Sequence, residues 1–457
     1  MLIIKPQFHL SRVFALIILF LITVILFVIT IPVSADLRFS DRVEEYYLSN
    51  KLKVILIEDK RSPIIVSSIW YKVGSSYEYE GVSGISHVLE HMMFKGTKTT
   101  EPGEFSAKIK KIGGTENAFT GRDFTGYFQK THKSYLELCL KMEADRMRNL
   151  TFTQKEFKNE IEVVKEERRL RTDDNPTAKI FEKISNQAFG MRGYGVPIVG
   201  TMKDLNKISV TDLKKWYLNY YVPNNAILIL AGDFDKDEAK ELIKKYYGGI
   251  KEAKVQDYLE KSNHKISFKN IKVEDKVSEP LVLMSFENMQ FNEENGKENH
   301  VIELLMELMD GGISSRFTKN LIDDKKIAIS TFISYDAYSR KRNLITIGGS
   351  PNKNISVEQL REALIAEFTN LVEEGLHENE LIDVKSRLLA NNIYKFDSVF
   401  YQVMQIGMLE TKNFDWNILD KYIHEINSIT EHDLINAAKK HILEKDYIFS
   451  VIEPKKL

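Results

Sequence analysis

The chain has 457 residues, of which 64 are basic and 65 are acidic, giving a formal net charge of −1. This balance gives no support to nucleic-acid binding, which favours a basic excess. Without its first 35 residues the chain keeps about 420, enough for two domains of roughly 200 residues each. The only cysteine is Cys139, which excludes an intrachain disulfide. It lies in the apolar run 135–142 and is predicted to be a small core residue.

The amino terminus has the residue pattern of an export signal. A short basic region precedes an apolar run over residues 13–31, which ends at Pro32 and a small-residue pattern closing on Ala35. Residues 1–35 are therefore interpreted as a signal peptide cleaved after Ala35. The run is nearly long enough to span a bilayer, so an uncleaved membrane anchor over 13–31 is the alternative. Both predict an exported body, periplasmic or extracellular.

Strand and helix patterns alternate over the next hundred residues. Runs rich in β-branched and aromatic residues predict strands over 52–57 and 64–73. Helices are predicted over 81–93 and 104–111, followed by a hairpin of strands over 117–130.

The helix over 81–93 carries His87, Glu90 and His91. The two histidines, four residues apart, project from the same helix face at a separation that one tetrahedral ion can bridge. Glu90 precedes the second histidine, where a carboxylate can act as a base toward a water on the ion. The pentad predicts a catalytic zinc site in which the commoner H-E-x-x-H order is inverted.

Such a site needs a third protein ligand, and a charged helix over 153–171 offers two. Thr153 and Glu156 have the spacing of a capping box at its start. Glu160 and Glu167 are seven residues apart and share one face, so local chemistry leaves the choice between them open. Glu162 and Glu166 point elsewhere and are read as surface charges.

The remaining pattern predicts a second unit like the first. Several helices fill 134–219, a buried strand follows at 226–231, and a polar, lysine-rich stretch over 249–275 is interpreted as a linker. Strand and helix signals then restart and continue to a final strand at 447–452. The predicted organisation is α+β, with a catalytic domain over 36–248 and a metal-free domain of similar fold over 276–457.

The chain resembles the insulinase and pitrilysin family of inverted-motif zinc peptidases, which includes the mitochondrial processing peptidase. Besides the pentad, matches to the family lie before it, after it, in the predicted hairpin and further along: Gly74, Ser75, Glu78, Phe94, Lys95, Gly96, Thr97, Gly113, Gly114, Asn117, Ala118, Thr120, Asp123, Thr125, Tyr127, 194–200, Trp216, Tyr217, Tyr221, Pro223, Asn224, Asn225, Gly232 and Asp233. The resemblance implies that Glu167 completes a Zn²⁺ site with His87 and His91. It also implies that Glu160 orients a ligand, and that each domain packs a mixed or antiparallel sheet against helices to form half of a clamshell.

The family's N-A-x-T segment falls on Asn117, Ala118, Phe119 and Thr120. The resemblance implies that this strand lines the active site. An extended peptide could pair with it through main-chain hydrogen bonds, which would favour short or unfolded substrates.

A second, incomplete copy of the motif occurs at His300 and Glu303, where Leu304 replaces the second histidine. With one ligand missing, no zinc is expected there. The copy is consistent with a second half that repeats the fold without the chemistry.

The chain departs from the family where other members carry a substrate-gripping arginine and tyrosine. Aligning Ser314–Phe317 with the family puts Ile322 and Ile329 at those positions, and neither can donate a hydrogen bond. A shifted alignment would instead offer Arg316 and Tyr335. We interpret the loss as a sign that a homologous partner chain supplies the pair, as in the family's heterodimers.

The predicted function is that of a zinc endopeptidase subunit in which Glu90 is the general base on a zinc-bound water. The alternatives are a homodimeric peptidase and a non-catalytic peptide-binding or scaffold subunit that keeps a vestigial site.

Overall fold

A computed structural model describes residues 39–256, 264–292 and 295–455. The predicted leader over 1–35 lies outside these residues. In the part that is described, no helix is both long and apolar enough to cross a membrane. The contacts divide the chain into Met1–Arg42, of which Phe39–Arg42 is seen as a 3-10 turn, and Val43–Leu457.

The first sheet has six strands in the order β1-β2-β6-β3-β5-β4. The strands are β1 (Val43–Tyr47), β2 (Lys53–Glu58), β3 (Ile64–Tyr71), β4 (Thr115–Thr120), β5 (Thr125–His132) and β6 (Ala226–Gly232). Central β6 is buried at every residue and pairs parallel to β2 and antiparallel to β3. At the far side, β4 pairs with β5, and no strand of the described residues pairs with its other edge.

The second sheet repeats this arrangement. Its strands are β7 (Ile271–Asp275), β8 (Leu281–Asn288), β9 (Ala328–Ser334), β10 (Asn343–Pro351) and β11 (Tyr447–Pro454), in the order β7-β11-β8-β10-β9. In each sheet the last strand of the half lies between two earlier strands, parallel to one and antiparallel to the next: β6 lies between β2 and β3, and β11 lies between β7 and β8. The α+β prediction of two similar halves is thereby confirmed, although the two halves share little sequence.

Helices pack against both sheets. In the first half they are Ile85–Met92, Glu104–Lys111, Leu136–Asn149, Gln154–Arg168, Pro176–Phe189, Met202–Leu205, Val210–Tyr220 and Lys236–Tyr247. In the second half they are Gly296–Asp310, Val357–Glu374, Glu380–Phe396, Val399–Thr411, Ile418–Ser428 and Glu431–Ala438. We call Ile85–Met92 the histidine helix and Gln154–Arg168 the glutamate helix.

Several predicted boundaries are corrected. The histidine helix begins at Ile85 rather than 81, because Gly81 and Gly84 adopt left-handed backbone angles. The predicted linker over 249–275 ends in a strand, β7, whose residues are alternately half-buried and exposed. The charged residues of β7 made this segment resemble a linker, although it pairs with β11.

The core of the first half lies between the histidine helix and the sheet. The rings of Tyr71 and Tyr221 stack with centroids 4.0 Å apart, and the Tyr127 and Tyr221 hydroxyls are 2.9 Å apart. Cys139 is fully buried, as its apolar surroundings predicted. Because this core is closely packed, it fixes the position of the histidine helix on the sheet.

Candidate zinc centre

The start of the histidine helix is fixed by a buried carboxylate. Glu78 accepts hydrogen bonds from the backbone N–H groups of Gly84 at 2.6 Å and Ser86 at 2.9 Å. It thereby satisfies donors that a helix leaves unpaired at its first turn. A Cβ on Gly84 would lie 2.9 Å from the Cα of Gly200, so two backbones meet here and only glycine fits.

Three side chains converge where the histidine helix faces the glutamate helix. The Nε2 atoms of His87 and His91 lie 3.6 Å and 3.4 Å from the same oxygen, Oε2 of Glu167. One ligand atom from each of the three residues falls within 4.8 Å of the others. These separations are long for hydrogen bonds but close to the roughly 3.3 Å between ligand atoms around tetrahedral zinc.

The protonation state of His87 suits a metal ligand. Burial, reinforced by the neighbouring His91 and Arg171, lowers the pKa of His87 to about 3. At neutral pH its imidazole is therefore uncharged and keeps a lone pair for a cation. Two imidazoles and one carboxylate are a donor set typical of a catalytic zinc, with a fourth position left open.

Glu160 lies behind this cluster rather than in it. Its Oε2 is 3.3 Å from Nδ1 of His91, and its Oε1 is 2.6 Å from Nζ of Lys95. A carboxylate on the outer nitrogen of a ligand histidine fixes the tautomer and the ring orientation. The structure therefore separates the two glutamates that local sequence left equivalent.

Replacing Glu160 with Gln is expected to weaken zinc binding about 10- to 100-fold, because the amide orients His91 less strongly than a carboxylate does. Competition with a chromogenic chelator measures this affinity. The matched control is Glu162→Gln on the exposed side of the same helix. An affinity for Glu160→Gln equal to that of the control would contradict the orienting role.

Glu90 connects the cluster to strand β4. Its Oε2 accepts a hydrogen bond of 2.5 Å from Oγ1 of Thr120. Burial raises the pKa of Glu90, and the bond from Thr120 opposes that rise. A raised pKa brings a carboxylate closer to the pH at which it both accepts and returns a proton.

The free edge of β4 borders a cleft of about 1050 Å³ that also contains the convergent histidines. All four predicted strand residues line it, namely Asn117, Ala118, Phe119 and Thr120. The ring of Phe119 packs edge-on against Trp70, with centroids 4.8 Å apart. The N–H of Ala118 donates to the side chain of Asn117.

The incomplete motif of the second half is occupied by other contacts. Nδ1 of His300 lies 2.5 Å from Glu425, and Nε2 lies 2.8 Å from the hydroxyl of Tyr338. Both ring nitrogens of His300 are thus engaged in contacts within the second half, and Leu304 is fully buried.

Neither choice of alignment provides a free gripping pair in the second half. Ile322 packs against the core, and Ile329 on β9 is 49% exposed. Arg316 forms a 2.7 Å ion pair with Glu380, and the hydroxyl of Tyr335 donates to the carbonyl of Asn299 at 3.0 Å. Arg316 and Tyr335 are thus engaged in packing within their own half.

Sequence reasoning overlooked one cation in the cleft. Arg122 lines it, two residues after Thr120 in the turn between β4 and β5. The available signal was a basic residue inside the predicted hairpin, next to the family-matched Asp123. Cations in hairpin turns are common, so the sequence alone gave no reason to select it.

A His-His-Glu cluster beside an unpaired strand edge has the donor set of a zinc site and a place where an extended chain could pair. Residues 53–202 match the insulinase family (peptidase family M16), and residues 207–388 match the peptidase M16 inactive domain. The chain belongs to the insulinase (M16) family.

Relatives agree in sequence and in structure. The zinc protease PqqE of Helicobacter pylori is 30% identical over 360 residues, covering 78% of this chain and 80% of PqqE. The crystal structure of a protease from Helicobacter pylori superimposes with a TM-score of 0.81 at 28% identity, covering 90% of this chain and 99% of that one. The periplasmic protease PqqL of Escherichia coli, at 17% identity and a TM-score of 0.75, shares the fold over 90% of this chain but only 48% of PqqL.

Proposed function

We propose that this protein is a zinc-dependent endopeptidase that cleaves short or unfolded peptides. The observation that carries the proposal is the convergence of His87, His91 and Glu167 on one point, with Glu90 hydrogen-bonded to the open-edged strand beside it. All four residues lie in the part that matches the insulinase domain, not in the part that matches the inactive domain.

His87, His91 and Glu167 would hold the ion, and Glu160 would keep His91 in the ligating orientation. Bound zinc supplies Lewis acidity, which polarises a carbonyl and lowers the pKa of water. Glu90 then takes the proton from the attacking water and delivers it to the leaving amine. Thr120 donates a hydrogen bond to Oε2 of Glu90, which fixes the position of the carboxylate relative to β4, the strand with which the substrate would pair.

The substrate class follows from the free edge of β4. A peptide can align with this strand only if its own backbone hydrogen-bonding groups are unpaired, which selects extended segments. A folded protein presents few such segments, so short or unfolded peptides are the proposed substrates.

A homologous partner is proposed for the remaining substrate contacts. The second half offers Ile322 and Ile329 where the family resemblance implies an arginine and a tyrosine. In PqqL one chain is about twice as long as this one, since the shared fold covers 48% of it. A second, homologous chain would supply these contacts, whereas a second copy of this chain would carry the same two isoleucines.

Export is also proposed, from the leader over residues 1–35. The catalytic body would act outside the cytoplasm, either released after Ala35 or held by residues 13–31. Fractionation of cells followed by amino-terminal sequencing of the mature chain separates these two forms.

Cleavage of a quenched, unstructured peptide tests the proposal. We expect chelator-sensitive cleavage by the purified full-length chain in mild detergent, with a higher rate when a candidate homologous subunit is added. Full activity of the chain alone would contradict the proposed homologous partner but would still support the proposed peptidase function. Absence of cleavage in every combination would favour the scaffold alternative.

A further inference from the structure

Arg122 stands between two cavities. It lines the zinc cleft and also a smaller cavity of about 390 Å³, whose wall includes residues of both halves. The two cavities share Arg122, Phe181, Ser185 and Tyr194. A volume near 400 Å³ is within the range of small-ligand pockets.

In the smaller cavity, every charged lining residue except Arg122 has an opposite charge beside it. Asp123 forms a 2.8 Å ion pair with Arg340, and Asp336 forms a 3.1 Å ion pair with Lys412. Within the described residues, the Arg122 guanidinium forms neither an ion pair nor a hydrogen bond; only the Arg122 carbonyl is engaged, accepting from the N–H of Ser76. Arg122 is the surplus cation of this cavity.

The acidic residues of the zinc cleft are also engaged. Glu182 pairs with Arg168 at 2.7 Å, and Glu166 pairs with Arg169 at 2.6 Å. Glu167 belongs to the metal cluster, and Glu90 is bound to Thr120. No carboxylate of the described cleft is therefore left to neutralise Arg122.

Tyr194 holds the guanidinium in place. The central carbon of Arg122 lies 5.2 Å from the centre of the Tyr194 ring, and the hydroxyl of Tyr194 donates to Asp123. A guanidinium placed over an aromatic face keeps its five N–H donors for an acceptor in its own plane. Burial lowers the pKa of Arg122, and the interactions with Tyr194, Asp123 and Asp336 oppose that shift only in part.

We propose that Arg122 binds a carboxylate of the peptide substrate, so that the enzyme prefers peptides that carry one at this subsite. The carboxylate is either the peptide's own carboxyl terminus or an aspartate or glutamate side chain. The N–H of Gly121 donates to the carbonyl of Phe124, so Arg122 lies in the turn just beyond Thr120 and would meet the substrate at that end of β4. The inference rests on the proposed peptidase function.

The test compares Arg122→Gln and Arg122→Lys with wild type in the full-length chain. The matched control is Arg342→Gln, which removes an arginine paired with Glu287 outside both cavities. Three quenched peptides are used: one with a free carboxyl terminus and no acidic residue, its carboxyl-terminal amide, and the amide with one glutamate scanned along it.

We expect Arg122→Gln to raise KM about 10- to 100-fold for whichever peptide carries the recognised carboxylate, with kcat little changed. The KM for the neutral amide should rise much less. Arg122→Lys should lie between, because lysine keeps the charge but not the forked geometry. Preference for the free acid identifies the terminus, whereas preference at one glutamate position identifies a side chain.

Peptide binding is also measured by fluorescence anisotropy in proteins that carry Glu90→Gln, with and without Arg122→Gln. Because these proteins do not cleave the peptide, the measurement separates recognition from catalysis. Equal losses for charged and neutral peptides, or none, would overturn the carboxylate proposal while leaving the peptidase intact. If wild type cleaves no peptide, the proposed function fails instead. A folding defect would appear as a lowered Tm in Arg122→Gln. In that case the proposal is tested by the KM values of Arg122→Lys for the charged and neutral peptides.

Discussion

Glu90→Gln is expected to lower kcat/KM about 10²- to 10⁴-fold while the protein still binds one zinc ion. The amide nearly preserves the shape of the side chain and can keep a hydrogen bond to Thr120, but it cannot accept a proton from water. Steady-state cleavage of a quenched peptide and metal analysis of the same sample measure the two properties.

The control for this substitution is Glu162→Gln, which removes a carboxylate from the exposed face of the glutamate helix. It should match wild type in both properties. Cleavage by Glu90→Gln at the wild-type rate would exclude Glu90 as the general base. Loss of zinc in Glu90→Gln would instead mean that the substitution disturbs the ligands.

Arg146→Met is expected to destabilise the fold by about 3–5 kcal/mol. The side chains of Glu143 and Arg146 are 0% and 1% exposed, and they are joined by hydrogen bonds of 2.7 and 2.6 Å. The guanidinium also packs over the rings of Phe105 and Tyr127. Removing the arginine alone leaves a buried carboxylate without its counter-charge.

Urea unfolding of the full chain measures this loss, with Lys141→Met on the exposed face of the same helix as the control. The double substitution Glu143→Leu with Arg146→Met should recover much of the stability, since neither charge is then left alone. A single variant as stable as the control would show that the pair contributes little.

The sequence was most informative where chemistry depends on local spacing. The histidine pair and Glu90 need only one helical turn, so their geometry follows from the pentad. The capping residue Thr153 also behaves as its position suggests, accepting a hydrogen bond from the N–H of Glu156. The choice of Glu167 over Glu160 came from the family resemblance, because that choice depends on how two helices cross.

Features that depend on packing between distant segments were not accessible. Glu143 and Arg146 lie three residues apart on a helix and resemble an exposed ion pair, and only the fold buries them. The ion pair between Asp123 and Arg340 joins the two halves across 217 positions of the chain. Charged edge strands such as β7 resemble linkers, because their pairing shows only in the assembled sheet.

Restoring zinc to the metal-free protein tests the central claim most directly. The full-length chain is stripped with a chelator, and peptide cleavage is followed as zinc is added back. We expect activity to rise linearly and to level off at one zinc per chain, whereas His87→Ala should stay inactive through the same titration. Cleavage that persists without metal, or that recovers equally in His87→Ala, would contradict a catalytic zinc at His87, His91 and Glu167.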